Sequence, residues 1–223
     1  MMLQIPSVIG PAQLEQVRAL LDEAPFVDGK LSAGMAASRI KNNQEVDQKS
    51  NIFNQLNELV YNNLTRHRKF RNFALPHRIS APFYARYEKG MEYGNHIDDP
   101  IMGSPHHFRT DVSTTVFLSD PDEYEGGDLV IQSSYGEQSF KLPAGYAVAY
   151  PSGSLHRVAP VTGGRRQVMV LWTQSLVRDP TQRTILYELN QVREPRLRKS
   201  PEDPETRRLD HVYINLVRMW AEV

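Results

Sequence analysis

The sequence predicts an α+β chain that is mainly β: an antiparallel sandwich or jelly roll with helices packed on it from the N-terminal side and a helical extension at the C-terminus. Three observations carry this expectation. Apolar residues recur at helical spacing in the first third, a period of two takes over from about Arg78 to about Thr173, and a helical stripe returns near the end. At 223 residues the chain can bury one sizeable core with additions. The expected division is 1–77 as helical support, 78–175 as the β-core and 176–223 as the helical extension.

Taken in order, Leu14, Val17, Leu20 and Leu21 predict a short amphipathic helix between Gly10 and Glu23, with Pro11 suited to its first turn. Residues 28–34 read as a turn beside a short strand. A second helix is expected from about Lys49 to His67, its stripe formed by Ile52, Phe53, Leu56, Leu59, Val60 and Leu64. Ile79, Ala81, Phe83, Ala85 and Tyr87 then alternate with Ser80, Pro82, Tyr84 and Arg86, as a half-buried strand requires. Further strands are expected at 113–118, 128–132, 138–142, 146–150 and 166–173, separated by turns rich in Asp, Pro and Gly. Short strands with frequent turns favour a sandwich or jelly roll over a parallel sheet. The charged, Pro-containing stretch 193–205 is expected to be an exposed connector, and Leu209, Val212, Tyr213, Leu216, Val217 and Trp220 predict a terminal amphipathic helix suited to packing or to a contact with a second subunit.

Composition narrows the function. Lys and Arg together number 26, as do Asp and Glu, so no global field exists to collect nucleic acid or anionic lipid, and neither partner is expected. No cysteine is present, which removes disulfides, thiolate metal sites and a cysteine nucleophile. Any metal site must use nitrogen and oxygen. No segment approaches the ~20 apolar residues of a membrane span, and the chain reads as cytoplasmic.

The chemistry concentrates in His96-Ile97-Asp98 and, far downstream, His156. Two imidazoles and one carboxylate on one side of a metal, with the opposite side open, form the 2-His-1-carboxylate triad of non-haem Fe(II) oxygenases. On a strand, His96 and Asp98 would share a face. A His-x-Asp pair alone is weak, because most such pairs are solvated or ion-paired. The same three ligands would also suit zinc in a cupin-like hydrolase or isomerase, or a non-catalytic metal-dependent sensor.

Order and context favour the first reading. Tyr87-x-x-Gly90-x-x-Tyr93-x-x-His96-x-Asp98, followed by His156 and a basic residue ten positions later, resembles the Fe(II)/2-oxoglutarate dioxygenases of the prolyl 4-hydroxylase superfamily. Asp28-Gly29-Lys30, Lys41-Asn42-Asn43, Phe117-Leu118-Ser119-Asp120-Pro121, Gly126-Gly127-Asp128-Leu129 and Val177-Arg178-Asp179 extend the resemblance to the bacterial PKHD-type hydroxylases, from near residue 25 to about 190. The resemblance implies a double-stranded β-helix core and a hydroxylase that couples decarboxylation of 2-oxoglutarate to oxidation by O2. It further implies one Fe(II) per subunit on His96, Asp98 and His156, Arg166 paired with the distal carboxylate of 2-oxoglutarate, Tyr87 hydrogen-bonded to that cosubstrate, and L-ascorbate as an accessory reductant. Arg165 competes with Arg166, since neighbours on a strand point to opposite faces; the ten-residue offset and phase with Val168 and Val170 favour Arg166. Tyr93 is expected to pack beside the metal loop. His106 and His107 read as residues of an exposed or substrate-facing loop, while Arg109 and Asp111 either meet substrate or pair with each other. The substrate is open: a peptidyl or free amino acid, or a small metabolite such as an iron chelator.

Overall fold

Two antiparallel sheets face each other, and the computed structural model describes all 223 residues of them and their helical additions. The strands used below are β1 Leu3–Ile5, β2 Phe83–Glu88, β3 Glu92–His96, β4 Val112–Phe117, β5 Leu129–Ser133, β6 Gly136–Phe140, β7 Ala147–Pro151, β8 His156–Val158 and β9 Val161–Ser175. The larger sheet runs β1-β7-β4-β9-β2 and continues through the short strands Gln44–Val46 and Phe26–Asp28. Tyr124–Gly126 and Pro76–Ile79 also pair with β9 in that sheet. The smaller sheet runs β6-β5-β8-β3 and ends on Lys41–Asn42.

The helices are α1 Pro11–Glu23, α2 Asn51–Leu56, α3 Asn62–Arg66, α4 Arg68–Ala74, α5 Pro180–Lys199 and α6 Pro204–Trp220. The first four cover one face of the larger sheet, where Val17, Leu21, Phe53, Leu56, Phe70 and Phe73 pack on Tyr84, Val112, Val116, Met169 and Leu171. Between the sheets a second core gathers Ala85, Tyr87, Phe117, Ile131, Tyr150, Val158 and Val168. The period of two explains the split: along β9, Met169 and Leu171 face the helices, while Arg166, Val168, Val170 and Trp172 face the cavity between the sheets. β4, sandwiched on both sides, is buried at every position.

Two expectations are corrected. The predicted helix 49–67 is interrupted: α2, capped by Ser50 accepting from Phe53 N, passes through a π-helical turn at Asn57–Tyr61 before α3, and a separate helix α4 follows. The stretch 193–205 is not a connector up to residue 199, because α5 runs through it. Its Arg, Lys, Glu and Leu residues are good helix formers, and Pro195, which offers no N–H to the carbonyl of Gln191, lies with that residue on the exposed side of the helix. The helix starts where its chemistry dictates: Asp179 accepts from Thr181 N and Gln182 N, with Pro180 in the first turn. Only residues 200–203 link it to α6, and Asp203 caps that helix in turn. Arg193 ties the pair by reaching Asp210 at 2.5 Å.

Candidate active site

Strand pairing joins the two histidines. His156 in β8 is the register partner of His96 at the end of β3, and the ring centres lie 4.2 Å apart. Directly opposed residues of neighbouring strands share a face, so histidines remote in sequence become neighbours. Asp98 lies beyond the end of β3, not on the strand as expected, because the positions that would pair with it fall in the turn closed by Ser154 N on Pro151 O. Its Oδ1 still stands 3.9 Å from Nε2 of each histidine. All three donor atoms lie within 4.8 Å of one another.

Their surroundings hold these side chains in a metal-ready state. Nδ1 of His96 lies 2.8 Å from Gly94 O and Nδ1 of His156 lies 2.9 Å from Ser154 O. A carbonyl can only accept, so each Nδ1 carries the proton and each Nε2 lone pair is free. Burial, followed by the neighbouring His156, lowers the His96 pKa to about 4, which keeps the ring neutral. Tyr93 stacks on His96 at 3.6 Å between ring centres, and Tyr150 meets His156 edge-on at 5.2 Å. Ser113 Oγ of β4 donates to Asp98 Oδ2 at 2.5 Å and lies 2.8 Å from Ser152 Oγ. A hydroxyl has one proton, so Ser152 donates to Ser113 and Ser113 to the carboxylate, leaving Oδ1 turned to the histidines.

Arg166 stands across from Tyr87 in the β9–β2 ladder and is 1% exposed. Its Nε and Nη1 have no hydrogen-bond partner. The guanidinium lies 5.0 Å from the Tyr87 ring centre and 5.8 Å from that of Phe117, contacts that a cation favours but that leave its N–H groups unsatisfied. Burial pushes the Tyr87 hydroxyl up to about 12, so it remains a protonated donor. Gly127 packs under the arginine with φ of 66°; a Cβ there would sit 2.9 Å from Val161 Cγ2 and 3.1 Å from Arg166 Cδ. Arg165 points the other way, exposed, and pairs with Asp22 at 3.1 Å and Glu88 at 3.3 Å.

A cavity of about 490 Å³ connects Arg166 and Tyr87, past the triad, to Phe83 and Trp172. Sequence reasoning missed the residues that finish it. Lys41 is tied on its wall to Glu45 at 2.6 Å and Ser32 Oγ at 2.8 Å, and nothing in the pattern of those residues announces a buried pair. Ser113 carried a signal only as a hydroxyl in a strand that buries both faces. His106 and His107 sit exposed in the loop between the short strands Ile101–Met102 and Phe108–Arg109, away from the triad. Arg109 and Asp111 pair with each other at 3.3 Å; Asp111 also accepts from Ser175 N at 2.8 Å, and Arg109 reaches Glu222 at 3.2 Å.

The family model for the 2OG-Fe(II) oxygenase superfamily matches residues 82–174, and that for the PKHD-type hydroxylase C-terminal domain matches residues 181–222. A PKHD-type hydroxylase of Thioalkalivibrio sulfidiphilus is 54% identical over the whole of both chains, and one of Xanthomonas euvesicatoria is 45% identical, again over the whole of both. The chain belongs to the PKHD-type hydroxylases. It is therefore an Fe(II)- and 2-oxoglutarate-dependent dioxygenase, an oxidoreductase. Among solved structures, a Pseudomonas putida prolyl-4-hydroxylase matches with a TM-score of 0.53 at 20% identity, covering 78% of this chain and 92% of that one. A 2OG-Fe(II) oxygenase family oxidoreductase from Burkholderia pseudomallei matches with a TM-score of 0.58 at 16% identity, covering 78% and 85%. These last two likenesses establish the jelly-roll fold.

The residues present fit both groups that such a hydroxylase requires. Two neutral imidazole nitrogens and one carboxylate oxygen, converging without a lysine or arginine among them, form the donor set that ferrous ion takes. A buried guanidinium with unsatisfied N–H groups, opening on the same cavity, fits the carboxylate of a dicarboxylic acid.

Proposed function

We propose that His96 Nε2, His156 Nε2 and Asp98 Oδ1 hold the Fe(II), that Arg166 receives the distal carboxylate of 2-oxoglutarate, and that the Tyr87 hydroxyl donates to the same cosubstrate. The observation that carries this reading is the buried guanidinium, its Nε and Nη1 unpaired and the Tyr124 hydroxyl beside it, sharing one cavity with the three donor atoms. A buried charge without a partner costs several kcal/mol, and a cosubstrate carboxylate removes that cost while gaining two parallel charge-assisted hydrogen bonds. Fe(II) so held, with 2-oxoglutarate and O2, supplies the oxidant that takes hydrogen from a C–H bond and returns hydroxyl, as 2-oxoglutarate gives succinate and CO2. The protein's own part is positional. Gly94 O and Ser154 O fix the imidazole tautomers, Ser113 aims the carboxylate, and the walls built by Leu129, Val158 and Val168 keep water from the cosubstrate.

Several finer assignments belong to the same reading. The substrate is peptidyl, a free amino acid or a small metabolite, and L-ascorbate would restore Fe(II) after uncoupled turnover. Residues 1–77 support the 78–175 catalytic core, with 176–223 as an extension. A cytoplasmic location suits a centre that must stay ferrous. A second copy of the chain would meet the exposed Val212 and Met219, which share a face of α6; a monomeric mass in solution removes that contact.

The deciding experiment adds Fe(II) and 2-oxoglutarate to metal-free protein without oxygen. The expected result is the visible charge-transfer band of the chelate, then succinate when air is admitted. No band, or a band indifferent to replacement of His96, Asp98 or His156, overturns the assignment.

A further inference from the structure

The cavity is longer than the cosubstrate. Arg166 and Trp172 face it from the same strand, and the six residue steps between them span ~20 Å at about 3.3 Å per residue. 2-Oxoglutarate can fill only the Arg166 end. Beyond the triad the wall is apolar: Phe83 and Trp172 meet edge to face at 5.7 Å, Val170 lies beside them, and Met102 and Phe108 close from the opposite hairpin.

Charge among the residues lining that outer half is one-sided. Lys41 is spent on Glu45 and Ser32. Arg109 is spent on Asp111 and Glu222 and does not line the cavity. Asp99 does line it, is exposed, and its carboxylate makes no ion pair or hydrogen bond. At the inner end, the dication, the Asp98 carboxylate, the 2-oxoglutarate dianion and the Arg166 guanidinium cancel, so Asp99 is the charge left for a substrate to meet. Aromatic faces of the Phe83 and Trp172 kind add a preference of the same sign, since they attract cations and repel carboxylates.

We propose that the outer half of this cavity is a subsite for a cationic amphiphile, an aliphatic or aromatic carbon frame packed on Phe83 and Trp172 whose ammonium or guanidinium group pairs with Asp99. The proposal rests on the iron and 2-oxoglutarate reading for its place beside the reacting centre. Substrates presenting phosphate or carboxylate to the outer half are selected against: no free cation lines it, and they would meet Asp99 as a like charge.

Three nearly isosteric probes test it: phenethylamine, phenethyl alcohol and phenylacetate, titrated by calorimetry into the anaerobic Fe(II)- and 2-oxoglutarate-loaded enzyme, with the visible band followed in parallel. Phenethylamine is expected to bind at least tenfold more tightly than phenylacetate, about 1.4 kcal/mol, with the alcohol between. Asp99→Asn should erase the gap between amine and acid, and Asp99→Lys should invert it; the position is exposed, so both variants should fold. Equal binding of acid and amine, a gap that survives in Asp99→Asn, or no binding by any probe at millimolar concentration overturns the proposal. Failure of the underlying reading looks different: the visible band is then missing before any probe is added, and thermal shifts of the metal-free protein with the same probes still decide the role of Asp99.

Discussion

The inner end of the cavity and its mouth are built on opposite plans. At the inner end strand register sets four of the five residues proposed to hold iron and cosubstrate, His96 against His156 and Tyr87 against Arg166, with Asp98 just past the end of β3. There the carbonyls of Gly94 and Ser154 and the hydroxyl of Ser113 fix the orientation of each donor. The mouth is set by loops: residues 97–111 and 29–40 supply Ile97, Asp99, Met102, Phe108 and Ala33, several of them exposed. The histidines, Tyr87 and Arg166 sit on paired strands, whose geometry a single substitution barely moves, while the mouth sits on segments that, Asp98 apart, can be rebuilt without touching the proposed metal site.

Asp98→Ala is the sharpest way to break that contrast. It removes one of the three proposed ligands and leaves the sheet pairing intact, so succinate formation should vanish while the far-ultraviolet circular dichroism and the cooperative melt persist. Turnover at the parent rate would mean that the rigid end is not the reacting end.

Arg166→Met comes next, and its signs differ for activity and stability. Losing two charge-assisted hydrogen bonds at about 1.5–3 kcal/mol each should raise the 2-oxoglutarate concentration required by roughly a hundredfold or more. Without cosubstrate the variant should melt higher than the parent, because an uncompensated buried charge has been replaced by apolar volume. An unchanged 2-oxoglutarate requirement, with Arg165→Ala showing the rise instead, would hand the role to the neighbour that now pairs with Asp22 and Glu88.

The same contrast explains what could be read from the chain. His96 and Asp98 announce themselves by short spacing, and the preference for Arg166 over Arg165 rests on the ten-residue offset of the family resemblance together with the phase visible in Val168 and Val170. A sandwich or jelly roll follows from turns punctuating two-residue periods, and the family resemblance narrows it to the jelly roll. Ser113 was hidden, because a serine in a strand looks alike whether it faces solvent, core or a ligand carboxylate. Lys41 and Glu45 were hidden for a related reason: burial of a charged pair depends on what the remote loop carrying Ser32 covers. α5 escaped because its charged residues and Pro195 imitate a connector, while its buried anchors lie upstream of them, at Arg183, Leu186, Asn190 and Tyr187, whose ring meets that of Phe73 at 5.7 Å. What failed to show in the sequence is what depends on partners distant along it.

Ser113→Ala probes the inner end more gently. The three ligands remain, but Asp98 loses the donor that turns Oδ2 away from the metal side. Removing an outer-shell partner of this kind typically lowers metal affinity by about 10–100-fold, so Fe(II) titration should need correspondingly more metal, with little change in turnover at saturation. Ser152→Ala should act in the same direction and more weakly, since it touches the carboxylate only through Ser113. Equal iron affinity in parent and Ser113→Ala would show that the strands alone aim the carboxylate.

The smallest effect belongs to the point where the C-terminal segment touches the mouth. Arg109 sits at the base of the hairpin that carries Met102 and Phe108 into the cavity, between a buried acid, Asp111, and a half-exposed one, Glu222. Solvent screens the outer pair, so Glu222→Gln should change stability by less than about 1 kcal/mol and leave 2-oxoglutarate binding as it was. Asp111→Ala should cost more, about 1–3 kcal/mol for the buried Ser175 N left unpaired, with Arg109 also losing one of its two carboxylates. Chemical denaturation of the two variants side by side measures the difference. If Glu222→Gln proved the more damaging, the C-terminal segment rather than the β4–β9 framework would be what holds the hairpin in place, and the mouth would no longer be the loosely supported end of the cavity.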